Sequence, residues 1–273
     1  MCDNQTFLRP NTFKVALENH QPQIGLWSAL CSNIVAEMIA GAGFDWILID
    51  MEHAPNELPN VLSQLQAMAT GTAEPIVRCP WNDFVQIKRI LDIGARSILV
   101  PFVQNAEEAR KAVAATRYPP LGIRGVSVAP RANRYGAVGD YHSKAHEDIC
   151  VLVQVETRAA VKEIEAIASV EGVDGIFIGP SDLAADYGHL GNPKHPEVQA
   201  VFADACARIR AKGKAPGILI SDPEEARNYL HQGFEFIAVG SDAGILAKGA
   251  KMLAADFKQN VFQVCSTQCR TSK

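Results

Sequence analysis

The hydrophobic residues of this chain fall into short runs that recur at intervals, and each run is followed by a turn and a helical pattern. The runs are rich in Ile, Val and Leu and do not alternate cleanly with polar residues. Apolar runs of this kind are typical of parallel strands that are covered on both faces. They predict eight strands, at Gln23–Trp27, Trp46–Ile49, Pro75–Arg78, Ser97–Val100, Val151–Val155, Gly175–Ile178, Gly217–Ile220 and Phe236–Val239.

The segments between these runs carry apolar residues at helical spacing, and several end at a glycine or before prolines. Strands and helices that alternate in this way predict a single-domain (β/α)₈ TIM barrel of the α/β class, at residues 13–257, followed by a polar C-terminal tail at 258–273. An open doubly wound sheet is the alternative, but no GxGxxG follows a strand and no GxxxxGK occurs. The predicted helices are Asn33–Ala42, Leu58–Thr70, Asp83–Ile93, Ala106–Arg117, Ala159–Ser169, Glu197–Lys212 and Asp222–Gln232.

Composition and charge narrow the possible partners. The chain has 273 residues, of which 48% are apolar, and this is enough to bury a sizeable core. Its net charge of -4 gives no basic footprint for nucleic acid. No apolar run approaches the roughly 20 residues of a membrane span, and the polar N-terminus lacks the apolar centre of a signal peptide. We therefore expect a cytoplasmic protein that binds neither nucleic acid nor membranes.

The seven cysteines do not form a disulfide pattern, because their number is odd and they are scattered. Cys31, Cys79, Cys150 and Cys206 lie in apolar or helical surroundings and are predicted to be reduced core residues. Cys265 is close only to Cys269 in the polar tail, and this spacing is weak evidence for a metal site.

Polar side chains gather where several predicted strands end. Active sites of (β/α)₈ barrels lie at the carboxyl ends of the strands. Taken singly, each residue could equally form a salt bridge, cap a helix or lie on the solvated rim. Because several strands deliver such groups to one end, we predict a site there. The groups are Asp50, Glu52 and His53 after the second strand, Arg78 at the end of the third, Gln154 and Glu156 at the fifth, Ser181 and Asp182 after the sixth, and Ser241 and Asp242 after the eighth.

The residue types at this end favour metal-assisted chemistry on a keto acid. Two carboxylates with few other ligands suit a hard divalent cation such as Mg²⁺ or Mn²⁺, and a histidine could be either a ligand or a base. A metal with open positions polarises a carbonyl group, and a nearby arginine stabilises negative charge that develops on oxygen. This set of groups suits the formation of an enolate next to a keto group.

Two other kinds of covalent chemistry find no suitable residue in the sequence. A Schiff-base aldolase needs a lysine in the barrel mouth. No predicted strand ends in lysine, and Lys212 and Lys214 precede the seventh strand, at the opposite face. No GxSxG nucleophile is placed at a strand end.

Long segments between about Phe13 and Phe257 share a pattern with a known family. They include AGAGFDWILIDMEHAPN (40–56), PIVRCPWND (75–83), VLVQVETR (151–158), VEGVDGIFIGPSDLAADYG (170–188) and AVGSD (238–242). In these segments the chain resembles the HpcH/HpaI aldolases, which are metal-dependent pyruvate aldolases. The resemblance implies a (β/α)₈ barrel that is often hexameric, hence a homo-oligomer, and that uses a divalent metal ion: Mg²⁺, Mn²⁺ or Co²⁺.

The matching positions also imply roles for individual residues. By this resemblance Glu156 and Asp182 would be the metal ligands, His53 the catalytic base, and Arg78 the group that stabilises the pyruvate enolate.

Three further positions would complete the site. Gln154, Ser181 and Asp182 would contact the keto acid, Ser181 through its backbone, although the family often has Ala at that position. Asp92 would act as the partner of His53 and raise its basicity.

The implied pairing of Asp92 with His53 conflicts with the predicted helix that begins near Asp83. A helix of about ten residues is about 15 Å long and runs away from the mouth, so Asp92 should lie far from His53 of its own chain. Either the helix is misplaced, or Asp92 has a structural role, or it reaches the site of a neighbouring chain. We favour the third explanation, because the family is oligomeric.

The resemblance implies reversible retro-aldol cleavage of a 4-hydroxy-2-oxo acid to pyruvate and an aldehyde. The expected substrate is 4-hydroxy-2-oxoheptanedioate and the expected aldehyde is succinic semialdehyde. The alternatives are cleavage of 2-dehydro-3-deoxyglucarate, cleavage of an acyl-CoA by a citrate-lyase-like enzyme, and a barrel that binds keto acids without catalysis. An acyl-CoA lyase would need a nucleotide-binding surface, and the sequence has no basic, glycine-rich stretch suited to one.

Overall fold

Eight parallel strands close into a barrel in chain order, and the last strand pairs with the first. The computed structural model describes residues 10–268, with side chains described through Lys258. The barrel confirms the predicted (β/α)₈ fold. The strands are β1 (Gln23–Ser28), β2 (Trp46–Asp50), β3 (Glu74–Arg78), β4 (Ser97–Val100), β5 (Cys150–Val155), β6 (Gly175–Ile178), β7 (Ala215–Leu219) and β8 (Phe236–Ser241).

The helices surround this barrel, and all seven predicted helices are present, the fifth of them divided at Glu163. Two 3-10 turns, at Met68–Thr70 and Arg131–Asn133, accompany them. The helices are α1 (Thr12–Glu18), α2 (Asn33–Ala40), α3 (Leu58–Ala67), α4 (Phe84–Asp92), α5 (Ala106–Thr116), α6 (Tyr141–Asp148), α7 (Arg158–Lys162), α8 (Ile164–Ala168), α9 (Pro180–Asp186), α10 (Pro196–Ala211), α11 (Pro223–Gln232) and α12 (Asp242–Gln268).

The hydrophobic pattern does not predict α1, α6, α9 or α12. The first three have only seven or eight residues, too few for a helical period to stand out.

Helix α12 runs through the predicted boundary at 257/258, and the division into barrel and tail stays a prediction. The side chain of Cys265 and all of Cys269 lie outside the described residues. Within residues 10–268, no helix is both long and apolar enough to cross a membrane.

The side chains of each strand point alternately into the barrel and outward to the helices. On β2, Trp46 and Leu48 pack inside the barrel, whereas Ile47 packs between the barrel and the helices. Asp50 is the next inward position after Leu48, and it lies where the apolar filling ends. The same two-residue step leads from Ile76 to Arg78 on β3 and from Leu152 to Gln154 on β5.

Helix α1 closes the amino-terminal end of the barrel. The ring of Phe13 is fully buried and lies 6.0 Å from the ring of Trp46 and 5.8 Å from that of Phe236. Asn11 caps this helix, and its side chain donates a hydrogen bond of 2.8 Å to Ser97 Oγ. The barrel is therefore filled and covered at one end, and at the other end its inward positions carry Asp50, Arg78 and Gln154.

Candidate active site

A buried ion pair joins the ends of β2 and β3. The register of the two strands sets Asp50 opposite Arg78, and the guanidinium group donates from Nε to Oδ1 at 2.9 Å and from Nη2 to Oδ2. The indole nitrogen of Trp27 also donates to Asp50 Oδ2, at 3.2 Å. Burial by itself would raise the pKa of Asp50, but the hydrogen bonds and the charge of Arg78 bring that pKa below its usual value. Arg78 is thereby fixed in position.

The same guanidinium group faces a second carboxylate. Glu52 Oε2 lies 2.8 Å from Arg78 Nη1. Burial raises the pKa of Glu52, and the negative charges of Asp50 and Asp182 raise it further, against the lowering effect of Arg78. Arg78 therefore pairs with two acids, Asp50 and Glu52, and the negative charge of a third acid, Asp182, raises the pKa of Glu52.

Glu156 is the most strongly perturbed acid of this end of the barrel. It is 3% exposed, and its carboxylate accepts hydrogen bonds from the backbone N–H of Phe102, at 2.8 Å, and from the side-chain amide of Gln154. Burial, followed by the negative charges of Glu52 and Asp182, raises the pKa of Glu156 to about 7. The remaining amide oxygen of Gln154 is buried and has no hydrogen-bond partner among the described residues.

Two residues that the sequence analysis did not identify shape this carboxylate's surroundings. A side chain at Gly179 would place its Cβ 2.7 Å from Glu156 Oε2, so only glycine lets the backbone pass this close. Phe102 has a φ of 54°, in the left-handed region, and its N–H donates to Glu156. The Gly-Pro pair after β6 is a sequence signal for the first residue, whereas a phenylalanine gives no signal for the second.

The donor set fits a hard divalent cation. Among the described residues Arg78 is the cation that pairs with this group of four carboxylates, those of Asp50, Glu52, Glu156 and Asp182, and Asp182 raises the pKa of both glutamates. A cation with oxygen ligands would relieve this repulsion and allow Glu156 to be ionised. Glu156, at the end of β5, and Asp182, exposed in the first turn of α9, are the residues that would hold it.

Of the remaining predicted site residues, Asp242 is buried and accepts the backbone N–H groups of Ala29 and Leu30, whereas two others lie at the rim. His53 is exposed over 67% of its side chain, and its Nε2 lies 3.9 Å from Glu52 Oε2. Ser181 is exposed in the first turn of α9, next to Asp182. These two residues border the carboxylates, and their predicted roles stay predictions.

Asp92 lies elsewhere, as the last residue of α4. Its carboxylate accepts a 2.8 Å hydrogen bond from Nη2 of Arg124, whose side chain is completely buried. Helix α4 has nine residues, about 13 Å, and leads away from the end of β3. The described contacts of Asp92 are therefore separate from the carboxylates of the mouth, and its pairing with a histidine stays a prediction.

Comparison with known proteins places the chain in a family. The model of the HpcH/HpaI aldolase/citrate lyase family matches residues 23–249. The chain belongs to this family. This confirms the resemblance seen in the sequence and, with it, the prediction of an enzyme of the carbon–carbon lyase class. The family generally depends on a divalent metal ion, in agreement with the donor set.

Several relatives are similar over nearly the whole chain. The 4-hydroxy-2-oxo-heptane-1,7-dioate aldolase of Klebsiella pneumoniae is 59% identical over 92% of this chain and 95% of its own. That of Escherichia coli is 58% identical over 90% of this chain and 95% of its own. Among solved structures, an HpcH/HpaI aldolase/citrate lyase family protein from Burkholderia cenocepacia has a TM-score of 0.88 and 40% identity, covering 91% of this chain and 99% of its own.

Proposed function

We propose that this chain is a metal-dependent aldolase that reversibly cleaves 4-hydroxy-2-oxoheptanedioate to pyruvate and succinic semialdehyde. The observation that carries the proposal is the group of carboxylates around Arg78 at the barrel mouth, where burial and the neighbouring negative charges raise the pKa of Glu156 to about 7. The names of the relatives with 58 to 59% identity support the choice of substrate.

A divalent ion held by Glu156 and Asp182, which we propose to be Mg²⁺, Mn²⁺ or Co²⁺, would act as a Lewis acid that polarises the 2-keto group. Arg78 supplies positive charge beside the oxygen on which negative charge grows as the C3–C4 bond breaks. The pairing with Asp50 and the contact with Trp27 hold the guanidinium in place before the substrate binds. Fixed donors of this kind need no reorganisation during the reaction.

The proton transfers require a base near the 4-hydroxyl group of the substrate. We assign this role to His53, acting through a water, because its exposed imidazole lies at the rim next to Glu52. When the base takes the hydroxyl proton, the electron pair of the C3–C4 bond moves to C3 and the aldehyde leaves. Protonation of C3 then gives pyruvate. The side chain of Gln154, whose amide nitrogen donates to Glu156, and the backbone of Ser181 are assigned to the keto acid.

Pyruvate release from a panel of 4-hydroxy-2-oxo acids tests this function. The full-length enzyme should cleave 4-hydroxy-2-oxoheptanedioate fastest, should lose activity with EDTA, and should regain it with Mn²⁺, Co²⁺ or Mg²⁺. A faster reaction with 2-dehydro-3-deoxyglucarate would mean that this compound is the preferred substrate, and the proposed type of cleavage would still hold. Glu156→Gln should abolish metal-dependent activity, whereas the exposed control Glu224→Gln should not change it. Trapping of pyruvate on a lysine by borohydride would contradict the metal mechanism.

We further propose that the enzyme is a homo-oligomer, with a hexamer as the expected state. Helix α12 exposes a row of apolar side chains at helical spacing, each more than half accessible, and such a surface favours burial against another chain. Light scattering should show a multiple of the chain mass, which Leu253→Asp should reduce and the control Lys251→Glu should not. The row consists of Ile245, Leu246, Met252, Leu253 and Phe257.

The buried free thiols of Cys79, Cys150 and Cys206 are preserved best in a reducing compartment, and we place the enzyme in the cytoplasm. Fractionation of cells that express the full chain tests this placement, which would be wrong if the protein were recovered outside the cytoplasmic fraction.

A further inference from the structure

A cluster of two histidines and a glutamate lies just beyond α9, outside the carboxylate site. One potential ligand atom from each of His189, His195 and Glu197 lies within 4.8 Å of those of the other two. His189 Nε2 is 2.8 Å from Glu197 Oε2, and the rings of the two histidines are stacked, with centroids 3.5 Å apart and planes inclined by 15°. We propose that these three residues form a second metal site, selective for Zn²⁺ or a similar borderline ion.

The ligand types distinguish this cluster from the barrel mouth. Two imidazoles and one carboxylate are a ligand set that Zn²⁺ binds with tetrahedral geometry, leaving one position for water. Mg²⁺, in contrast, prefers oxygen ligands. The cluster and the carboxylates of the mouth should therefore select different ions, and each ion can be followed separately.

An ion pair alone explains only part of the cluster. The 2.8 Å contact with Glu197 involves only His189 and does not account for the ring of His195 that is stacked on it. His195 Nδ1 accepts the backbone N–H of Glu197 at 3.3 Å, a long contact that offers weak competition. A metal ion would replace the proton between His189 and Glu197 and recruit the second ring as it opens from the stack.

The backbone that carries the ligands is already ordered by hydrogen bonds. The N–H of His189 donates to Ala184 O at 2.7 Å, and the N–H of Asn192 donates back to His189 O at 2.8 Å. The N–H of His195 donates to Asn192 O at 3.1 Å. A site whose ligands stand on a fixed backbone loses less conformational entropy when the ion binds.

The position of the cluster suggests a structural role for the ion. Helix α9 carries Asp182 in its first turn and is seven residues long, about 10 Å, so the cluster lies roughly that far from the mouth. Arg158 links the end of β5 to the same region, because its N–H donates to Asp186 and its guanidinium lies 4.2 Å from the ring of Tyr187. An ion there would fasten the segment between α9 and α10 and stabilise the fold.

Zinc binding by the full-length, tag-free enzyme, stripped of metal beforehand, tests the proposal. Calorimetric titration should give a Zn²⁺ site that persists in Glu156→Gln, and Zn²⁺ should raise the melting temperature of that variant. His189→Ala should weaken this site by at least about tenfold and abolish the rise. Glu197→Gln should act in the same direction, whereas His231→Ala, an exposed histidine on α11, should bind Zn²⁺ as the parent does.

Cobalt provides a second readout, since Co²⁺ bound by four ligands including imidazole absorbs visible light far more strongly than Co²⁺ in an octahedral oxygen site. This band should appear in the parent and in Glu156→Gln and disappear in His189→Ala. Pyruvate release with Mg²⁺ should show that His189→Ala is folded. Zinc binding that is lost in Glu156→Gln, or that is unchanged in both His189→Ala and Glu197→Gln, would overturn the proposal.

Discussion

At the amino-terminal end of the barrel each buried acid lies beside a basic group, whereas at the carboxyl end several acids share one arginine. Arg96 contacts Glu74 at 2.8 Å and Asp148 at 3.3 Å, and Lys14 lies 4.0 Å from Asp174. At the mouth, Glu156 has hydrogen-bond donors but no ion pair among the described residues. Each of these acids at the amino-terminal end thus has a basic partner, whereas at the mouth Arg78 pairs with Asp50 and Glu52 and leaves Glu156 without an ion pair among the described residues.

This difference separates groups that stabilise the fold from groups that are held for a ligand. A basic neighbour offsets part of the desolvation of a buried acid, as Arg96 does for Glu74, although burial still raises the pKa of Glu74 above its usual value. Buried acids that raise one another's pKa cost stability, and a natural protein retains that cost at sites where it has a use. Variants at the two ends should therefore affect different quantities: unfolding at the closed end and the reaction at the open end.

The largest effect on stability is expected from Phe13→Ala at the closed end. Removing a buried phenylalanine leaves a cavity against Trp46 and Phe236 and costs about 3–5 kcal/mol of unfolding free energy. The folded fraction should still exchange the methyl protons of pyruvate at the parental rate. Urea unfolding and proton exchange followed by NMR measure the two quantities. A strong loss of exchange per folded molecule would show that the closed end acts on the site.

The largest effect on the reaction is expected from Arg78→Ala at the open end. Loss of a donor to developing negative charge typically costs about 10²–10³ in rate, so methyl-proton exchange should fall by that factor while pyruvate binding changes much less. Arg78→Lys should recover only part of the rate, because lysine lacks the planar fork that Asp50 binds.

The matched control for Arg78 is Arg96→Lys at the closed end. It should lower stability and leave exchange unchanged in the folded protein. An exchange rate in Arg78→Ala equal to that of the parent would assign Arg78 a purely structural role.

A pair of isosteric changes tests the comparison directly. In the metal-free enzyme, Glu156→Gln removes a charge that Glu52 and Asp182 repel, so the free energy of unfolding should stay the same or rise. Glu74→Gln removes the carboxylate that Arg96 contacts twice, and it should lower that free energy by about 1–3 kcal/mol. Denaturation of the parent and of both variants under identical conditions shows whether each change raises or lowers the free energy of unfolding. Equal destabilisation by the two changes would mean that the two ends do not differ.

The fold could be predicted from the sequence because each strand is an unbroken apolar run, and the observed strands agree with the predicted ones to within a few residues. The same apolar character hides the direction of the side chains. Trp46 and Ile47 are both hydrophobic, yet one fills the barrel and the other faces the helices. The buried pairing of Asp50 with Arg78 follows from this hidden alternation and from the register of two strands, neither of which hydrophobicity reveals.

Other features of the site depend on the backbone rather than on residue type. The N–H of Phe102 reaches Glu156 only because that residue adopts a left-handed conformation. The absence of a Cβ at Gly179 matters only because a carboxylate from β5 passes beside it. Which acids would be present at the mouth could be read from the sequence, whereas the backbone contacts that surround them could not.

The smallest expected effect concerns Asp92, which lies at the end of α4 and contacts Arg124 rather than the mouth of its own chain. If Asp92 completes the site of a neighbouring chain by pairing with His53, then His53→Ala and Asp92→Ala should each have low activity. After co-refolding in equal amounts, about one quarter of the sites would combine an intact His53 with an intact Asp92 from another chain, as expected for random assembly of a symmetric oligomer. Activity should therefore rise toward about one quarter of the parental value.

The control mixes His53→Ala with Arg78→Ala, two residues of the same chain's mouth, and should give no gain. If subunit exchange is demonstrated and the first mixture stays at the average of its two parents, Asp92 acts within its own chain, through Arg124.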